Sequence, residues 1–117
     1  MNGPKSTILK GRIGEAHALQ YFLSLGFRLR EKNYRHKKGE IDIIVQKDNL
    51  LVFAEVKYRR TERFGYPEEF VSQHQQSLII NTADHFIQES GWKGNIRFDI
   101  IAINGQKQIE HFEDAFY

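Results

Sequence analysis

Gly39-Glu40-Ile41-Asp42-Ile43-Ile44-Val45 and, after a short break, Leu50-Leu51-Val52-Phe53-Ala54-Glu55-Val56-Lys57 decide the reading of this chain. Both runs read as strands, over 40–47 and 50–57, and Lys47-Asp48-Asn49 joins them as in a hairpin. A strand places alternate side chains on one face. Glu55 and Lys57 are therefore expected to point one way and Val56 the other, toward a core, with Asp42 alternating between Ile41 and Ile43. Acidic residues and lysine are depleted in strands. Two carboxylates and an amine standing where Val or Ile belongs cost stability unless something compensates. A divalent cation held by the carboxylates, with Lys57 beside it, is the compensation expected.

Outward from these strands, residues 7–25 read as a helix, with Ile8, Leu9, Ile13, Ala16, Leu19, Phe22 and Leu23 on one broad stripe and Gly26 as its stop. Residues 27–34 alternate in part and read as a strand, and His36-Lys37-Lys38-Gly39 reads as a turn. Residues 58–70 show no clean period and read as a loop. Ser72 with Gln75 fits a capping box, so a second helix is expected from Ser72, with Leu78, Ile79, Ala83, Phe86 and Ile87 on its apolar face and Gly91 at its end. Residues 96–103 read as a fourth strand, Asn104-Gly105 as a turn, and 107–113 as a fifth, edge strand. Ala115-Phe116-Tyr117 is expected to pack onto the body. The order is α-β-β-β-α-β-β: an α/β fold, a central mixed sheet flanked by helices.

A chain of 117 residues with 40% hydrophobic content suits a single domain over 1–117. There is no cysteine, hence no disulfide frame and no thiolate chemistry. No apolar run approaches the roughly 20 residues of a membrane helix, and the N-terminal residues lack the apolar stretch of a signal peptide. A cytoplasmic protein with no membrane partner is expected. The net charge of +2 hides an asymmetry. Residues 1–63 hold fourteen Lys/Arg against seven Asp/Glu, net +7, and residues 64–117 hold three against eight, net −5. The positive charge clusters at Arg28, Arg30, Lys32, Arg35, Lys37 and Lys38 and again at Lys57, Arg59, Arg60 and Arg63, on both sides of the acidic constellation. A basic rim around acidic groups suits a metal-dependent enzyme acting on a polyanion; the bland alternative is a solvated surface that happens to be basic.

Phosphodiester hydrolysis needs a neutralised phosphate, an activated water and a stabilised leaving oxygen. Mg²⁺ takes hard oxygen ligands and is usually held by one or two carboxylates plus waters. Asp42 and Glu55 supply carboxylates if their strands are neighbours, and the Val56 carbonyl another oxygen. Lys57 would orient or help deprotonate the water, or stabilise developing charge. Glu15 lies between Ile8 and Phe22 at the edge of the helical stripe, where it would look into a cleft and ligate a metal directly or through water; otherwise it is a boundary glutamate paired with Arg12 or solvent. Asp42 alone reads as a strand-edge carboxylate, and Glu55 with Lys57 as a same-face ion pair. Asp42 and the Glu-x-Lys triplet together are stronger, because two strands each break their own pattern. His17, His36, His74, His85 and His111 form no zinc-like spacing and read as bland. Tyr58, Phe64 and Tyr66 either stack on bases or anchor their loop, the anchor reading being the preferred one.

Gly14-Glu15-Ala16, Gly39-Glu40-Ile41-Asp42-Ile43-Ile44, Phe53-Ala54-Glu55-Val56-Lys57, Arg97-Phe98-Asp99-Ile100-Ile101-Ala102-Ile103 and Ala115-Phe116 together resemble the YraN-type family of small bacterial proteins, in order and over nearly the whole chain. That family is placed in the restriction-endonuclease-like superfamily, the PD-(D/E)xK nucleases, and is similar in outline to archaeal Holliday-junction resolvases. The resemblance implies the first-helix acid at Glu15, the metal-binding aspartate at Asp42, the Glu-x-Lys pair at Glu55 and Lys57, Mg²⁺ or Mn²⁺ as cofactor, and a nucleic-acid substrate. Two departures stand out: Ile41, not proline, precedes Asp42, and Gln75-Gln76 stands where the family often has Lys-Gln. Gln76 is expected to keep a polar contact to site or substrate.

The function expected is a metal-dependent endonuclease acting on structured or branched DNA, with Arg35, Lys37, Lys38, Arg59, Arg60 and Gln76 contacting nucleic acid and a homodimer needed for symmetric junction cutting. Shape and backbone contacts would supply its selectivity. The alternative is a non-catalytic nucleic-acid-binding module on a nuclease fold, working with a partner in repair, recombination or DNA uptake. A third reading is a protein-interaction subunit that docks through its acidic C-terminal half; binding insensitive to salt would favour it.

Overall fold

A computed structural model of the chain describes residues 4–59 and 71–116, the side chains of residues 4–10 excepted. Its elements are α1 (Pro4–Ser24), β1 (Arg28–His36), β2 (Gly39–Lys47), β3 (Leu50–Tyr58), α2 (Gln73–Ser90), β4 (Asn95–Ile103) and β5 (Ile109–Phe112). The strands form one mixed sheet in the order β1-β2-β3-β4-β5. Only β3 and β4 run parallel. A parallel pair needs a long crossover, and α2 lies on it; the antiparallel neighbours β1–β2 and β2–β3 join through short turns.

One helix covers each face. Ile79, Ala83 and Phe86 of α2 pack on Ile44, Leu51, Phe53, Phe98 and Ile100. Ala18 and Phe22 of α1 pack on Ile43, Val45, Val52, Ala54, Ile101 and Ile103. Strand β3 is thus buried on both faces, which is why its sequence is a near-continuous apolar run. Ser72 caps α2, its Oγ accepting from the Gln75 N–H at 3.1 Å, and Gly91 ends it in the left-handed conformation (φ 71°) that a side chain resists. Gly39 lies so close to α2 that a Cβ there would collide with the Thr82 hydroxyl and stand 2.7 Å from the Leu78 carbonyl. The last residues fold back: the Ala115 N–H donates to the Phe98 carbonyl at 2.7 Å, and the Phe116 ring lies 5.3 Å from that of Phe98. Tyr117 lies outside the described residues.

The buried face of α1 is shifted from the expected apolar stripe, of which Leu19 and Phe22 do pack on the sheet. Gly14, Ala18 and Phe22, four residues apart, are buried, while Ile13 is 58% exposed and Ala16 and Leu23 also face out. The small residues at 14 and 18 face the sheet, where a Cβ on Gly14 would stand at ordinary contact distance from Ile103 and Val56. The side chains of Ile8 and Leu9 are outside the description. In β1 a bulge between Leu29 and Glu31 resets the alternation. Leu29 is left exposed, and the guanidinium of Arg30 sits 5.5 Å from the Phe86 ring centroid.

His111 has a structural part. Its Nε2 lies 2.7 Å from Oδ2 of the fully buried Asp99, and its Nδ1 shares a hydrogen bond of 2.9 Å with the Tyr21 hydroxyl. Arg97 grips Asp99 with two bonds of 2.8 Å, and the Asp114 N–H adds a fourth donor at 3.1 Å. Burial pushes the Asp99 carboxyl up, but the bonds from His111, Arg97 and Asp114 hold it below the ordinary aspartate value. This network ties α1, β4 and β5 together under α1.

Candidate active site

The site opens where two strands part. β2 and β3 pair from Lys47↔Leu50 up to Ile43↔Ala54, and the register ends there, one residue short of Asp42 and Glu55. In place of a backbone partner, Asp42 Oδ2 accepts the Val56 N–H at 2.8 Å. Across β1, Lys32↔Ile43 and Tyr34↔Ile41 are paired but the intervening Asn33 and Asp42 are not, and Asn33 takes a positive φ of 52°. The simple alternation expected around Asp42 therefore fails: Ile41 packs on the α2 face and Ile43 on the α1 face. The chain coils at this point, and the carboxylate takes up the room that coiling provides. A strand residue turns its N–H and C=O to the same edge, so the Val56 carbonyl faces the same opening as its N–H.

Glu55 is 7% exposed. Its Oε2 accepts from Gln75 Nε2 at 3.4 Å and lies 3.7 Å from Lys57 Nζ. Its Oε1, with both carboxyls ionised, is a buried oxygen with no hydrogen-bond partner. Burial first, then the charge and hydrogen bond of Asp42, push the Glu55 carboxyl up to about 9, against the opposing pull of Lys57. A proton shared with Asp42 satisfies that oxygen in one way; a cation satisfies it in another. The cleft beside the pair, about 210 Å³, is lined by Lys38, Gly39, Glu40, Asp42, Glu55 and Gln75, with α2 as its far wall. Two carboxylates and a backbone carbonyl are hard oxygen donors, and this set fits Mg²⁺ or Mn²⁺.

Glu15 stands in the next cleft, of about 480 Å³, with Gly11, Arg12, Asn33, Arg35 and Glu40; Glu40 is the wall common to both. Burial and then Asp42 raise the Glu15 carboxyl, and a hydrogen bond with Asn33 opposes them. Glu15 thus senses Asp42 without joining it: among the described residues no three of His, Cys, Asp and Glu converge into one ligand set. The structure brings Asp42, Glu55, Val56 and Lys57 together and leaves Glu15 beside them.

The expected nucleic-acid contacts divide. Lys38 lines the carboxylate cleft, Lys37 (φ 54°) sits with it in the β1–β2 turn, and Arg35 is exposed and paired with Glu40 at 3.2 Å. Arg59 continues β3, its N–H donating to the Ile103 carbonyl at 2.7 Å. Arg60, Arg63, Phe64 and Tyr66 lie outside the described residues. The Gln76 side-chain amide donates to the Val71 carbonyl at 3.1 Å, and Gln75 is the glutamine that reaches Glu55. Reading Gln75 as half of a capping box hid this. Only the Ser72 half forms, because the Gln75 side chain is engaged at the cleft instead.

The family model described as "Uncharacterised protein family UPF0102" matches residues 14–103, a span holding Glu15, Asp42, Glu55 and Lys57. A UPF0102 protein of Cytophaga hutchinsonii is 44% identical over 108 residues, covering 92% of this chain and 96% of the relative. One from a Sulfurihydrogenibium species is 46% identical over 108 residues, covering 92% and 93%. Another from Clostridioides difficile is 43% identical over 109 residues, covering 92% and 96%. The chain belongs to the UPF0102, or YraN-type, family.

Proposed function

We propose that this chain is a metal-dependent endonuclease of the restriction-endonuclease-like, PD-(D/E)xK kind, hydrolysing phosphodiester bonds in structured or branched DNA. The observation that carries the reading is the parting of β2 and β3 around a buried carboxyl pair, whose Glu55 Oε1 has no donor once both carboxyls are ionised. A fold seldom keeps such a defect unless it serves a site. Asp42, Glu55 and the Val56 carbonyl would hold Mg²⁺ or Mn²⁺, which when bound neutralises a phosphate and acidifies a water. Lys57, beside Glu55, orients the attacking water and offsets charge on the phosphate oxygens. Water adds to phosphorus and gives up a proton to solvent, the ester P–O bond breaks with its electron pair on the leaving oxygen, and a solvent proton restores the hydroxyl. Gln75 holds the Glu55 carboxyl in orientation. Glu15, in the adjoining cleft, adds negative charge that favours a cation at Asp42. Lys37 and Lys38, with Arg35, bring the polyanion to the site. Two copies would be needed to cut a junction symmetrically. A cytoplasmic setting suits a cysteine-free chain, and no described helix is long and apolar enough to cross a membrane.

The test is cleavage of labelled single-stranded, duplex, flap and four-way-junction DNA and of RNA, with Mg²⁺, Mn²⁺ or EDTA. Wild type should cut at least one DNA in a metal-dependent way, and Asp42→Ala and Lys57→Ala should each lose at least about 100-fold in rate. One observation favours a second reading, a non-catalytic nucleic-acid-binding module: no third side-chain ligand joins the carboxylates among the described residues. Salt-sensitive binding with no cutting of any substrate would select it.

A further inference from the structure

Beside the carboxylate cleft, His36 at the end of β1 stacks on His85 of α2. The rings of His36 and His85 lie 3.6 Å apart with planes 11° from parallel. Desolvation, then His85 and Lys37, hold His36 below the ordinary histidine value. The support is firm. The Tyr34 hydroxyl and His85 Nδ1 share a hydrogen bond of 2.7 Å, and the Tyr34 ring meets core Phe86 edge-on at 5.2 Å. Aromatic contacts therefore run from the core through Tyr34 and His85 out to His36. His36 in turn lines a largely apolar cleft of about 280 Å³ with Lys37, Lys38, Leu78 and Asn81. Lys38, Gly39 and Leu78 line both this cleft and the carboxylate cleft.

We propose that His36, on its His85–Tyr34 support, is a stacking shelf for an unpaired nucleobase of single-stranded DNA whose backbone runs along Lys37 and Lys38. The proposal rests on the nucleic-acid reading and deepens it by naming what the site selects. Charge alone holds any phosphate backbone, paired or not. An aromatic face accepts a base only when that base has left the duplex stack, and every base has such a face. A cleft just below the ~300 Å³ lower end for small-molecule sites suits one base. Asn81 on its wall offers a donor and an acceptor to the base edge. Unpaired bases occur at flaps, gaps and branch points, so the shelf would direct the adjoining carboxylates to such places.

The test is fluorescence anisotropy in EDTA, with a labelled oligothymidylate and an abasic oligomer of equal length. Wild type should bind the base-bearing strand more tightly. His36→Ala should raise its Kd about 5- to 100-fold and leave abasic binding unchanged, and His36→Phe should recover most of the loss. Comparing two ligands on one protein separates stacking from misfolding. No loss with His36→Ala, or equal loss on both oligomers, overturns the shelf while salt-sensitive binding upholds the underlying reading. Failure of wild type to bind either oligomer overturns both.

Discussion

Glu55 and Asp99 are both buried acids, and their neighbours treat them in opposite ways. Asp99 receives bonds from Arg97, His111 and the Asp114 N–H, and stays ionised. Glu55 faces a second carboxyl, one distant amide and the Lys57 amine at 3.7 Å, and burial with Asp42 outweighs that amine, so it holds its proton up to about 9. The stability consequences have opposite signs. A carboxyl raised in the folded state binds more protons folded than unfolded, so the metal-free protein should lose stability as pH rises from about 4.5 to about 9. Glu55→Gln should flatten that slope and raise the alkaline melting temperature in EDTA, as read from thermal unfolding at several pH values. A slope unchanged by the substitution would contradict the assignment. Asp99 contributes stability above its unfolded value that fades as pH falls through its lowered one. Asp99→Ala strands Arg97 and His111 without their acceptor and should cost about 3–5 kcal/mol in urea unfolding.

Two glycines separate close approach from mere smallness at the scale of elements. At Gly39 a Cβ meets Thr82 and the Leu78 carbonyl, so Gly39→Ala must push β2 away from α2. A loss of about 1–3 kcal/mol is expected by urea unfolding, together with distortion of the cleft that Gly39 lines. At Gly14 a Cβ would find Ile103 and Val56 at 3.7 and 3.8 Å, ordinary contact distances. Gly14→Ala should therefore stabilise α1, by up to about 1 kcal/mol in the same assay. The elements themselves were legible, because alternation and helical spacing dominate local preference: every strand and helix expected is present, with ends moved by a few residues. What escaped depends on partners. The face of α1 is set by which side chains the sheet has room for, and the Arg30 bulge by the register with β2. The coil at Asp42 depends on Val56 offering its N–H across a gap. The placement of Asp42, Glu55 and Lys57 was readable because each breaks an apolar strand. Gln75 was not, because a helix N-terminus offers a glutamine two plausible uses.

At the scale of the whole molecule, positive charge gathers on the β1–β2 turn next to an acidic cleft. If that turn meets phosphates, log Kd for DNA should vary linearly with log salt, and Lys37→Ala and Lys38→Ala should each reduce the slope by about one. A slope that neither substitution changes would move the contact elsewhere. At the centre lies a buried carboxyl pair that holds a proton, and on the proposed function a divalent cation replaces it. Calorimetric titration with Mn²⁺ at pH 7.5, repeated in buffers of different ionisation enthalpy, tests this most directly. The predicted result is one ion bound per chain with release of roughly one proton, because Glu55 must ionise to bind, and loss of both signals in Asp42→Ala. No binding at millimolar Mn²⁺, or binding without proton release, would contradict it.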